Sequence, residues 1–166
     1  MRRFAASLAL GFAGLALCAF TDLEGIFSID VDPGWRMAGK SGSDTFHFVP
    51  GGDRSHGGLI VGAYPADQPS LHDQIADNFG AGLKFAREAP GVVLGKECLY
   101  ADTRQATPGG VALIAHHLYC YVDTTYSGTP KYVFAMSVIS PEAEADDYTA
   151  VFFRALKTIR WGSAVK

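Results

Sequence analysis

Two long runs of strand-period hydrophobicity, residues 92–105 and 111–123, are joined by Thr107-Pro108-Gly109-Gly110. Proline and paired glycines between such runs are a turn signal, so the runs are expected to fold back as an antiparallel hairpin. Centring the turn on Gly109 sets Cys98 opposite Cys120, Tyr100 opposite Leu118 and Asp102 opposite His116. Directly opposed Cα atoms lie about 4.5–5.5 Å apart, which overlaps the span of a disulfide. A Cys98–Cys120 bridge would contribute roughly 3 kcal/mol by constraining the unfolded chain. The alternative is a pair of buried thiols acting as small apolar side chains.

The flanking segments extend the sheet. Phe27-Ser28-Ile29-Asp30-Val31 alternates apolar and polar and is stopped by Asp32-Pro33-Gly34. Residues 45–49 and 59–64 read as further strands on either side of a glycine-rich loop. A helix is expected over 71–86, with Ser70 as N-cap, Asp73 completing a capping box, and Leu71, Ile75, Phe79 and Leu83 on one stripe. Gly80 and Gly82 weaken it by roughly 1 kcal/mol each relative to Ala, and Pro90-Gly91 marks its exit. After a loop at 124–129 comes a strand at 131–139. Ser140-Pro141-Glu142 then opens a second helix carrying Tyr148, Val151, Phe152, Ala155, Leu156 and Ile159 at helical spacing. Ile159-Arg160-Trp161 closes the core. The order β-β-β-α-β-β-β-α predicts an α+β fold: a mostly antiparallel sheet of about six strands with two main helices.

The first residues carry a compartment signal. Arg2 and Arg3 precede an uncharged run from Phe4 to Phe20. That is the pattern of a secretory signal peptide, with cleavage expected after Cys18 or Ala19. Residues 1–19 are thus expected as leader and 20–166 as one domain, periplasmic or secreted. The run is rich in Ala and Gly, which makes it weak for a permanent span. Leu15-Ala16-Leu17-Cys18 is similar to a lipoprotein box, but Leu17 stands where a small residue belongs. Membrane attachment is expected only if Cys18 is lipidated or the leader is uncleaved.

Once Arg2 and Arg3 leave, the 14 basic residues become 12 against 17 acidic ones, for a net charge of −5. A modestly acidic domain without a basic cluster argues against nucleic acid as a partner. An even pair of cysteines, 98 and 120, in an exported chain favours the bridge over free thiols.

Several motifs invite a chemical reading. Gly34 to Ser41 matches the phosphate-cradling pattern G-x-x-x-x-G-K-S. That pattern works between a strand and a helix. Here strand-period residues and Pro50 follow it, so no nucleotide is expected. Asp102 opposite His116 could be an acid–base pair, but no nucleophile is marked beside it and no G-x-S-x-G occurs. A cross-strand polar pair is the plainer account. The histidines at 47, 56, 72, 116 and 117 lack zinc-ligand spacing, and the adjacent pair 116 and 117 should point to opposite sheet faces. No catalytic, cofactor-binding or metal-ligating residue is expected. Asp53, Arg54 and His56 in the glycine-rich loop, with Thr125 and Tyr126 in the later one, are the candidate partner contacts.

The opening Phe27-Ser28-Ile29-Asp30-Val31-Asp32-Pro33-Gly34-Trp35, the strand with Gly95, the paired long strands and the terminal Ile159-Arg160-Trp161 together resemble the PsbP-like and DcrB-like superfamily. The resemblance implies an α/β/α sandwich around an antiparallel sheet. Members are generally non-enzymatic and bind other proteins, as photosystem accessory subunits, periplasmic lipoproteins, and immunity proteins or adaptors of toxin secretion systems. It therefore implies an exported protein-binding module, with an immunity or accessory role as its sharpest form. A small periplasmic hydrolase using His116 and Asp102, or a carrier with a pocket between helix and sheet, are the other expectations.

Overall fold

The computed structural model describes residues 18–21, 25–41, 45–51, 57–80, 83–125 and 131–166. In chain order these form β1 (Cys18–Thr21), β2 (Phe27–Val31), β3 (Trp35–Ser41), β4 (Thr45–Pro50), β5 (Gly58–Pro65), α1 (Leu71–Phe79), β6 (Lys84–Val93), β7 (Lys96–Ala106) and β8 (Ala112–Asp123). Then follow β9 (Lys131–Pro141), a 3-10 turn (Glu142–Glu144), α2 (Ala145–Leu156) and β10 (Arg160–Trp161). The main sheet is antiparallel with the order β3-β4-β5-β9-β8-β7-β6, and a small antiparallel sheet has the order β1-β2-β10.

The hairpin at Gly109 has the expected register, with Cys98 opposite Cys120, Tyr100 opposite Leu118 and Asp102 opposite His116. The Thr107 N–H donates to Val111 O, and the Gly110 N–H donates to Thr107 O, which closes the turn. Cys98 and Cys120 are joined as a disulfide with Cα atoms 4.0 Å apart.

Period-2 alternation sorts side chains onto two faces. On one face, Leu118, Cys120, Phe134, Met136, Phe46 and Val61 meet Phe27 and Ile29 of β2 and Tyr148 and Phe152 of α2. Phe134 takes the Phe27 ring edge-on at 4.9 Å and the Trp161 ring at 5.4 Å. On the other face, Leu71 and Ile75 of α1 rest on Ala101, Tyr119, Val133 and Ala135. β9 lies in the middle of the sheet and is buried from Tyr132 to Val138, as a strand covered on both faces should be.

The class is the expected α+β one, with seven strands in the main sheet where about six were expected. Four local expectations are corrected. The first helix ends at Phe79, not 86, because Gly80 adopts φ 78°, and the chain then turns into β6 to pair with β7. Helical spacing at Leu83 is overridden there by sheet pairing. Pro90 and Gly91 accordingly lie inside β6, an edge strand where a missing N–H is tolerated. The single strand expected over 92–105 is broken by a two-residue turn at Leu94-Gly95. Ser140 is a buried residue of β9 rather than a helix cap, and α2 starts only after the 3-10 turn. The Ser70 cap is as expected: its Oγ accepts from the Asp73 N–H at 3.1 Å and donates to Asp73 Oδ2 at 2.6 Å.

Candidate functional site

Of the anticipated partner contacts, Asp53, Arg54, His56 and Tyr126 lie outside the described residues. Thr125 is exposed, and its N–H donates to Ala164 O at 2.9 Å, tying that loop's start to the chain end. Cys18, the lipidation candidate, opens β1, and Phe20 packs edge-on against Phe46 and Phe48. Gly34 to Ser41 contains β3, laddered to β4 with a bulge between Met37 and Gly39. Its backbone is a strand, so it has neither the loop nor the helix start that cradles a phosphate.

His116 and His117 point to opposite faces, as alternation requires. On the α2 face, His116 Nδ1 lies 2.7 Å from Asp102 Oδ1 and its Nε2 2.7 Å from Thr149 Oγ1. A hydroxyl beside the imidazole superficially completes a triad. Thr149 Oγ1 also lies 2.7 Å from Ala145 O, so the backbone carbonyl of its own helix competes with His116 for its single hydrogen. The Asp102–His116–Thr149 chain fastens α2 to the sheet.

On the α1 face, His117 is 1 % exposed. Its Nε2 lies 2.7 Å from Thr103 Oγ1 and its Nδ1 2.8 Å from Ser137 Oγ. Burial, then the neighbouring His116, pushes its pKa down to about 3, so the ring is neutral between two hydroxyls. Tyr119 continues this line, its ring centroid 6.3 Å from that of His117. Asn78 Nδ2 donates to Tyr119 Oη at 3.0 Å and to Tyr64 Oη at 2.5 Å. Burial raises the pKa of both tyrosines.

This polar line runs beside a cleft. A helix about 10 Å across covers roughly two strand spacings of ~4.8 Å. α1 sits over β7 and β8, which leaves this face of β4 and β5 without a described helix over it. Cross-strand neighbours Thr45, Gly62, Ala135 and Tyr119 form one row across the floor. His47, Ile60 and Ser137 form the next. Gly62 and Ala135 are small, so the floor is hollow. The cavity measures about 550 Å³, with Gln74, Asp77, Asn78 and Phe79 of α1 as its wall and Asp67 at the rim.

A second exposed feature is the β6–β7 tip. Leu94 adopts φ 47° and Gly95 φ 80°, which makes a two-residue turn of the kind that favours Asn-Gly. Leu94 is 61 % exposed and Val92 69 %. Trp161 Nε1 donates to Leu94 O at 3.3 Å, which places a half-buried indole beside the tip.

The seven-stranded antiparallel sheet with helices on opposite faces has solved counterparts. The Ran-binding protein Mog1p of Saccharomyces cerevisiae superposes with a TM-score of 0.55 at 12% identity, covering 88% of this chain and 96% of that one. LpqN of Mycobacterium tuberculosis, involved in cell envelope biogenesis, gives 0.56 at 10% identity, covering 83% and 85%. Cyanobacterial PsbP (CyanoP) of Synechocystis gives 0.55 at 14% identity, covering 93% and 98%. The fold is PsbP- and Mog1-like. No family model matches the sequence, and no curated protein matches it significantly.

Within this PsbP- and Mog1-like fold, sequence reasoning found the Asp102–His116 pair but missed Thr149, Gln74, Asn78 and Leu94. Thr149 carries no local mark, because its partner lies 33 residues away. Gln74 and Asn78 occupy ordinary helix positions. Leu94 carries no turn chemistry, and the only local hint was Gly95 beside it.

Proposed function

We propose that this chain is an exported, non-enzymatic binding module that acts on a protein partner, docking it at the β6–β7 tip. The observation that carries this is Leu94. A branched apolar side chain is held in a left-handed conformation and presented to solvent beside exposed Val92. An L-residue there costs about 1–2 kcal/mol, and local strain of this kind concentrates at functional positions. A partner with an apolar pocket would bury both side chains against the Trp161 rim, in the manner of an interface hot spot. One structure of the same fold belongs to a Ran-binding protein, which supports partner binding by analogy of fold alone.

Export rests on the basic-then-apolar leader, and the Cys98–Cys120 bridge favours an oxidising compartment. The sharper immunity or secretion-accessory role rests on the superfamily resemblance.

The test is a photo-crosslinking amino acid placed at 92 or 94 and, as control, at 108 on the far end of the sheet. One partner band should form at the tip positions and disappear when the 92 probe is combined with Leu94→Asp. The same band at 108, or none at the tip, rejects the reading.

A further inference from the structure

We propose that the cleft between α1 and the face of β4 and β5 that no described helix covers binds a small organic cation, a free amine carrying an apolar body. A hollow of about 550 Å³ lies within the size range of small-molecule sites, roughly 300–1,000 Å³. Its chemistry follows from counting donors and acceptors around the wall.

Gln74 is only 3 % exposed, and its Oε1 is buried with no hydrogen-bond partner. Such an acceptor is costly to leave unmatched, so a ligand N–H reaching it is favoured. Asn78 spends its amide on the Tyr64 and Tyr119 oxygens. Gln74 Oε1 thus remains an unmatched buried acceptor in this wall, while the Asn78 donors beside it are already engaged.

Charge points the same way. Asp67 and Asp77 line the cleft, and no lysine or arginine does so among the described residues. Neither carboxylate forms an ion pair among the described residues. The Tyr64 and Phe79 rings supply faces that attract a cation and cover an apolar body. Donors, positive charge and a small apolar body describe a protonated amine. The site is distinct from the β6–β7 tip, so its test is independent of the partner reading.

Titration calorimetry on the mature protein compares phenethylamine with phenethyl alcohol, which has the same body without the charge. The amine should bind at least about tenfold more tightly, since a hydrogen bond between charged groups is the stronger kind. Raising the salt should weaken it. Gln74→Leu and Asp77→Asn should each reduce amine affinity about tenfold, with circular dichroism confirming the fold. Asp77 is exposed, so its variant guards against a folding failure at Gln74. Equal affinity for amine and alcohol, or full amine affinity in Asp77→Asn, overturns the proposal. An N-acetyl-lysine amide arm separates the sources: tighter binding of that probe than of phenethylamine would assign the site to a partner's lysine and overturn the free-amine assignment.

Discussion

His116 Nε2 lies 2.7 Å from Thr149 Oγ1, joining the middle of β8 to the second turn of α2. Asp102 holds the other ring nitrogen at the same distance. Removing the hydroxyl leaves a partly buried imidazole nitrogen without its protein partner. Thr149→Val should therefore lower stability by about 1–2 kcal/mol. A urea midpoint equal to wild type would show that this contact does not fasten the helix.

His117 makes stability depend on pH in the acid range. Its folded pKa of about 3 is below the ordinary value of 6.5, so as pH falls the unfolded chain takes up the proton first. The contribution is fully present above about pH 6.5 and is lost as pH falls toward 3, with a slope of up to about 1.4 kcal/mol per pH unit. His117→Gln should flatten the urea-midpoint profile between pH 6 and 4 relative to wild type. Parallel profiles for the two proteins would rule the residue out as the cause.

The Cys98–Cys120 bridge encloses a loop with a sequence separation of 22. Reduction should cost roughly 3 kcal/mol. Cys98→Ala/Cys120→Ala should reproduce the loss without reductant, because both positions are buried among apolar neighbours. Mass spectrometry after alkylation of the unfolded, unreduced chain should find neither cysteine modified.

Leu94 sits where Asn is tolerated better. Leu94→Asn should raise stability by about 1 kcal/mol while weakening partner capture. A variant with unchanged or lower melting temperature would remove the strain argument.

Much of this architecture was readable because it is local. Alternation in 111–123 placed His116 and His117 on opposite faces, and the Thr-Pro-Gly-Gly turn aligned Cys98 with Cys120 across the hairpin. The expected first helix runs past its true end because Leu83 continues a helical stripe. Nothing in the nearby residues announces that Lys84 to Val93 has a strand partner waiting in β7.

The amino-acid order alone determined the antiparallel hairpin, its register, the Ser70 cap and the α+β class, since period and turn chemistry act between near neighbours. Only the tertiary structure decided that a nine-residue helix covers β7 and β8 but not β4 and β5, that Thr149 reaches His116, and that Gln74 Oε1 is buried without a partner among the described residues. Those outcomes depend on how separate elements are laid over one another. Packing of the whole chain sets that placement, and no single segment encodes it.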